Sequence, residues 1–315
     1  MKRLLALVLF AAWSAHAAYP EKPIRFILPS AAGGSVDVLM RVLAQQLSTQ
    51  MGVAFVVENK PGGAFVPGTM DIVRAPPDGY TLGYGNIVSL AINRALLPKL
   101  PYDVEKDLTL ISNCVQVFNM LAVNNDLPVR SVQELVAYAK KNPGKLTNGS
   151  SGNGTTGHLG GELFKFMTGT DIVHVPYKGS PQAINDLMAG NIQVMFDNVP
   201  SIGPHVKAGR VRGLGVSAPK RAAQFPDIPT IAEAVPGYET NSWGGVIGPA
   251  KLPKEIVSRL TAEIRKALAS PSVAERYRQL DTEPDGAGPE AFLELVRKET
   301  PKWADVVKKS GAKVD

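Results

Sequence analysis

The stretch SSGNGTTGHLGG, residues 150–161, can be read in two ways that lead to different folds. Gly152, Gly154 and Gly157 spell G-x-G-x-x-G, the spacing of a dinucleotide-binding turn. Such a turn needs a strand before it, a helix after it, and an acidic residue at the far end of the next strand to hold the ribose. The helix is expected, because Leu159, Leu163, Phe166 and Met167 recur at helical spacing. The preceding GKLTNGSS is polar and short, a weak candidate for a buried central strand. Asp171 stands before the next strand, IVHVPY at residues 172–177, whereas the ribose acid belongs where this chain has Tyr177 and Lys178. Two of the three requirements fail, so a nicotinamide cofactor is not expected and the spacing reads as coincidence. No lysine occupies the P-loop position, which excludes a Walker nucleotide site.

What the loop keeps is more general. Ser150, Ser151, Thr155 and Thr156 supply hydroxyls, and the glycines let backbone amides approach a ligand closely. The helix that follows offers unpaired N–H groups and the positive end of its dipole, a site for a phosphate or a carboxylate. The first strand, IRFIL at residues 24–28, ends the same way: PSAAGGS leads into a helix marked by Val36, Leu39, Met40, Leu43 and Leu47. Gly33, Gly34 and Ser35 make that turn. Two such loops facing each other across a cleft would suit a ligand with two carboxylates.

The chain opens MKRLLALVLFAAWSAHAAYPEKP, with Lys2 and Arg3 before an apolar run and Ala15-His16-Ala17 as a small-residue cleavage site. Residues 1–17 are therefore expected to be a signal peptide, too short in its apolar part to span a bilayer, and the mature protein is expected in the periplasm. With 44% hydrophobic and 20% charged residues the rest is globular and long enough for two domains. The formal charge is +6, including Lys2 and Arg3, but the basic residues are scattered, so nucleic-acid binding gets no support. The single cysteine, Cys114, rules out an internal disulfide and reads as a buried small hydrophobe. His158, His174 and His205 are too dispersed for a metal site, and neither metal nor cofactor is expected.

Strand-like runs alternate with helical patterns along the chain, the signature of a mostly parallel sheet with helices on its faces. A second unit begins near residues 119–123, and three helical segments close the chain, with Pro301 expected to kink or interrupt the last. This tail should return to cover the first unit. The expected division is a discontinuous domain of residues 19–123 plus 241–315, with residues 124–240 inserted and two crossover segments between them.

Motifs along nearly the whole mature chain, including VVENKPGGA, APPDGYTL, GNGTTGHLGGELF, DIVHVPYKGS, MFDNVPS and FPDIPTIAEAVPGYE, closely resemble the Bug family, the periplasmic substrate-binding receptors of tripartite tricarboxylate transporters. The resemblance implies an α/β protein with the type II periplasmic-binding-protein fold, two α/β domains closing on a ligand. It also implies a non-enzymatic receptor, expected as a monomer, that passes a small carboxylate to integral-membrane permease subunits. Family features map onto Ala31–Ser35, including Ala32, onto Gly85 and Asn86, onto residues 150–156, and onto Asp197 of MFDN. The chain departs from the family at Ser30-Ala31-Ala32, where the cleft should be roomier, and at PGGAFVPG, where Phe65 and Pro67 replace small residues.

Asp197 has two readings: a partner for a ligand amine, hydroxyl or bridging water, or an acceptor for backbone N–H groups before the next helix. His158 reads as structural, and Trp243 as either cleft lining or hinge packing. An exported hydrolase is the alternative function, with Ser217 in GVSAP as its nearest nucleophile, although the second glycine of G-x-S-x-G is missing. A receptor that signals to a sensor kinase is the other.

Overall fold

The computed structural model describes residues 19–311, so the expected signal peptide lies outside the described residues. The chain begins with β1 (Ile24–Leu28), α1 (Ser35–Met51), β2 (Phe55–Asn59), α2 (Val66–Val73) and β3 (Thr81–Asn86). Two short helices follow, α3 (Asn93–Leu96) and α4 (Val104–Asp107), and then the long strand β4 (Leu108–Val123). Next come α5 (Val132–Lys141), β5 (Leu146–Ser150), α6 (Thr156–Thr168), β6 (Ile172–Pro176), α7 (Ser180–Ala189), β7 (Val194–Asn198), α8 (Val199–Lys207) and β8 (Arg212–Val216). The chain ends with β9 (Asn241–Pro249), α9 (Lys254–Leu268), α10 (Pro271–Gln279), β10 (Glu283–Pro284) and α11 (Pro289–Ser310).

The strands lie in the order β2-β1-β3-β9-β4-β7-β5-β6, with β8 and β10 also paired to β4. Pairing is parallel among β1, β2 and β3 and again among β5, β6 and β7. The expected mostly parallel sheet has an antiparallel centre, where β9 runs antiparallel to both β3 and β4. Strand β4 serves both ends of the sheet. Its residues 108–118 pair with β9, and its residues 119–123 pair with β7 on one side and β8 on the other.

Amphipathic helices cover the first end on both faces. Leu39, Leu43 and Leu47 of α1 meet Ile24, Phe26 and Leu28 of β1, together with Leu260 and Ile264 of α9 and Tyr277 of α10. Fully burying each such side chain contributes about 1.5–3 kcal/mol. Cys114 lies in this core, where burial pushes its thiol up to about 12. On the other face, Phe292, Val296 and Trp303 of α11 pack with Ile27, Trp243 and Ile247. Of the kink or interruption expected at Pro301, the interruption does not occur, and α11 continues through it. The missing N–H weakens one turn, but Trp303 beyond the proline is 1% exposed and its Nε1 donates to Glu299 Oε2 at 3.1 Å. Docking of that apolar face holds the helix together across the break.

The polar segment before the quoted loop is a strand after all. β5 lies between β6 and β7, with Leu146 opposite Ile172 and Asn148 opposite Val194. It lacks large side chains because its neighbours leave no room: a Cβ on Gly149 would strike Ile192, and Asn148 sits under Gly161 of α6. Gly157 has the same role one turn earlier, where a Cβ would collide with the Phe196 carbonyl of β7. Two contributions oppose each other in Gly157→Ala. Helix propensity favours alanine by up to ~1 kcal/mol, while forcing a methyl group into closed packing costs about 1–3 kcal/mol. The clash is with backbone, so a lower Tm is expected, and an unchanged or higher Tm in thermal unfolding would show that α6 can move away.

Candidate ligand-binding cleft

The carboxyl ends of the parallel strands open onto one cleft of about 990 Å³. Ligands of open α/β sheets bind outside such strand ends. Five helices begin there, and their N-cap residues Gly34 (α1), Phe65 (α2), Thr155 (α6), Gly179 (α7) and Asn198 (α8) all line it. Unpaired N–H groups and positive dipole ends therefore converge from both ends of the sheet. Only α1 and α6 were legible in the sequence as a pair. The same strand–Gly/Ser–helix signature is present in YKGSP before α7.

Of the residues singled out from sequence, Gly34, Ser35, Asn86, Ser151, Thr155, Thr156 and Asp197 line the cleft together. Ala32, Gly33, Gly85 and Ser150 are not among its lining residues, each for its own reason. Ala32 is exposed beside the turn. The Gly33 N–H is taken by Asp37 Oδ2 at 2.9 Å. Gly85 lies within the β3–β9 ladder opposite Gly245. The Ser150 hydroxyl bonds the Gly152 carbonyl at 3.1 Å and shares a 2.7 Å bond with His174 Nε2.

The two loops are braced from behind by residues that sequence reading did not connect. Asp37, 5% exposed, also accepts from Arg41 Nε and Asn59 Nδ2, tying the first loop to β2. The Thr155 hydroxyl caps α6, and Asn198 Nδ2 donates to Ser35 Oγ at 2.9 Å, linking the two ends of the sheet directly. Asn119 of β4 stands behind this link, donating to Asn198 Oδ1 and Thr156 Oγ1. On the opposite wall, Gly62, Gly63, Ala64 and Phe65 all have left-handed φ, from 49° to 108°. Two of them are not glycines, so the wall carries backbone strain, and the Ala64 carbonyl is held by Asn93 Nδ2 at 2.8 Å.

Charge in the cleft is sparse. Lys178 and Asp197 are the charged side chains among its lining residues. Asp197 is 3% exposed; its Oδ1 accepts from the Ser180 hydroxyl at 2.9 Å, while Oδ2 accepts no hydrogen bond. Burial pushes its carboxyl up to about 6, opposed by the Ser180 hydroxyl and the nearby Asn198 N–H and Ser201 hydroxyl. Asp197 thus lines the cleft as a residue while its Oδ2 is buried behind the surface.

Trp243 is buried against Phe292, their rings 6.0 Å apart, and does not line the cleft. Ser217 is fully buried, donating to the Thr240 carbonyl at 2.5 Å and accepting from Asn119 N–H at 2.8 Å, in a packing role rather than a nucleophile's. No group of three or more His, Cys, Asp or Glu among the described residues could hold a metal. No helix among them is long and apolar enough to cross a membrane.

The sequence model of the tripartite tricarboxylate transporter family receptor matches residues 39–312. The chain belongs to this receptor family. It is 35% identical to Protein BugT of Bordetella pertussis over 323 residues, covering 100% of this chain and 99% of BugT. Among solved structures it superposes on R. palustris Rpa4515 with adipate at a TM-score of 0.92 and 38% identity, covering 94% of this chain and all of that one. MatC of Rhodopseudomonas palustris with bound malate gives 0.87 at 27% identity, over 92% of this chain and all of the other. The receptor therefore has the periplasmic solute-binding fold, and the strand–loop–helix that imitates a nucleotide fingerprint is part of it. With β5 and α6 both present, the ribose acid is the one nucleotide requirement still missing: β6 ends at Pro176, and Tyr177 is occupied donating to Asp186 at 2.7 Å.

Beneath the second loop of the receptor, His158 and His174 stack with ring centroids 3.9 Å apart. His158 Nδ1 accepts the Gly154 N–H at 3.0 Å, which requires an unprotonated nitrogen. Burial holds His158 down to about 4, and burial with the neighbouring imidazole holds His174 lower still. The unfolded chain, at about 6.5, binds protons that the native pair refuses, so stability falls as pH drops from about 6.5 toward 4. Asp197 acts in the opposite sense, because its native carboxyl takes up a proton before the unfolded one does. The histidine part is isolated as wild type minus the His158→Gln/His174→Gln variant. That difference is expected to shrink by on the order of 3 kcal/mol per histidine between pH 7 and pH 4 in denaturant melts. A difference independent of pH would mean the pair titrates normally.

Proposed function

We propose that this receptor captures a small carboxylate in the periplasm and delivers it to the permease subunits of a tripartite transporter. The carrying observation is the convergence of helix N-termini from both ends of the sheet on one cleft lined mostly by neutral donors. The adipate and malate of the two liganded neighbours support the same ligand class. Gly34, Ser35, Asn86, Ser151, Thr155 and Thr156 hold the ligand.

Residues 19–123 plus 241–315 move as one body and residues 124–240 as the other, with β4 and β9 as the connections. The Asn198–Ser35 bond belongs to the closed arrangement, and its rupture accompanies opening. The receptor works as a monomer, exported by residues 1–17, and catalyses nothing.

In a thermal-shift screen of mono-, di- and tricarboxylates, a true ligand at a hundred times its Kd adds about 2.7 kcal/mol to stability, which moves Tm by several degrees. A panel in which no carboxylate raises Tm would sink the proposal. Ser151→Trp fills the cleft from its wall without removing the Thr155 cap or the Asn198–Ser35 bond. Its unliganded Tm should stay within a few degrees of wild type while the ligand-induced shift disappears; a retained shift would place the ligand elsewhere.

A further inference from the structure

Resting on the two-body receptor reading above, we infer that Gly179 and Gly154 are the seats on which the two bodies meet. Glycine at these positions fixes how far the cleft closes, and thereby how tightly any ligand is held.

Most glycines that leave no room for a Cβ face their own body, as Gly149 faces Ile192 and Gly157 the Phe196 carbonyl. Gly179 and Gly154 instead face the other one. A Cβ on Gly179 would come within 2.5 Å of the Ala31 Cβ. One on Gly154 would lie 2.5 Å from Leu96 Cδ2 and 3.7 Å from the Ala64 Cβ. Ala31, Ala64 and Gly179 line the cleft, so the seats border the space a ligand occupies.

The seats are held from behind. Asn59 Nδ2 donates to the Ser30 carbonyl at 3.0 Å and Asp37 takes the Gly33 N–H, which fixes Ala31 between them. Across the cleft Ser180, next to Gly179, donates to Asp197 Oδ1 at 2.9 Å, and the Gly154 N–H donates to His158 Nδ1 at 3.0 Å. Backbone braced in this way does not absorb a methyl group locally, because packed interfaces are bistable rather than continuously deformable. The strain passes to the two bodies as a whole, and it exists only when they are together. A cleft that closes less often binds every ligand more weakly by the same factor, whatever contacts the ligand makes. Gly179 is the cleaner seat to probe: its φ of 162° is extended backbone, whereas Gly154 at 79° resists a side chain on its own account.

The test moves the methyl group across the contact, with affinities for succinate, malate and adipate read by titration calorimetry. Gly179→Ala is expected to weaken every probe that binds wild type by one common factor of about 10–100, with the order of preference intact and the unliganded Tm near that of wild type. Adding Ala31→Gly in the same chain reopens the space and should restore affinity. A methyl group that acted by covering a ligand contact, or by disturbing the start of α7, would not be rescued from across the cleft. Unchanged affinity in Gly179→Ala, loss for some probes only, or failure of Ala31→Gly to rescue it each overturn the inference. Should Gly179→Ala not fold, Ala31→Val adds bulk from the other side, and wild-type affinity in that variant overturns the inference. If no probe binds wild type, the carboxylate reading fails and small-angle scattering of the unliganded chains decides the seats. A radius of gyration raised in Gly179→Ala and returned to the wild-type value in the swapped pair upholds them; one radius for all three chains overturns them.

Discussion

The whole arrangement hangs on β4. Its residues 108–118 are bonded to β9, and its residues 119–123 are flanked by β7 and β8. The two halves share one backbone, so displacing one displaces the other, while β-bulges between Leu110 and Ser112 and between Asn113 and Val115 adjust the register locally in the β9 half. Leu121 and Val123 point into the core under α5, and Met120 and Ala122 into the core under α7 and α8. At the changeover stands Asn119, which reaches Asn198, Thr156 and Thr240 and so joins the backbone constraint to the cleft.

Parallel strands make the cleft possible. When β1, β5, β6 and β7 end on the same side, the turns after them start α1, α6, α7 and α8 together. One set of sheet contacts thus brings many partial positive charges to one place. The cost is space, since helices beginning so close to the sheet must touch it. This is why glycine recurs at residues 149, 157 and 161, where a Cβ would strike a neighbouring side chain or carbonyl. The resemblance to a nucleotide fingerprint is therefore more than coincidence. Both folds need a helix pressed against a strand end, and both meet that need with glycine.

The cleft also gathers polar atoms that the fold by itself leaves unmatched. Asp197 Oδ2, buried behind the surface, has no partner, and the wall opposite keeps Ala64 and Phe65 in left-handed backbone. Unmatched groups and strain of this kind concentrate at functional sites. The stacked histidine pair, His158 buried and His174 half-buried, belongs to the opposite category. One nitrogen of each ring is engaged within the protein, His158 Nδ1 by the Gly154 N–H and His174 Nε2 by Ser150, and the pair stiffens the loop from below.

The chain by itself determined the alternation of strands and helices, the pairing of two Gly/Ser loops before helices, and the family, because these rest on local spacing and residue type. It did not determine that LTNGS forms a central strand, since Asn148 and Gly149 show no strand pattern until Ile192 and α6 are packed on them. Nor did it reveal that Gly33 is bound by Asp37, that Ser150 is occupied by His174, or that Gly179 and Ser180 join the site. It could not show that α11 survives Pro301, because the packing of Trp303 lies far away in sequence. Local chemistry sets what each loop can do. Only the tertiary structure decides which of its donors are spent on the protein and which are left for a ligand, because hydrogen bonds between distant residues leave no trace in spacing.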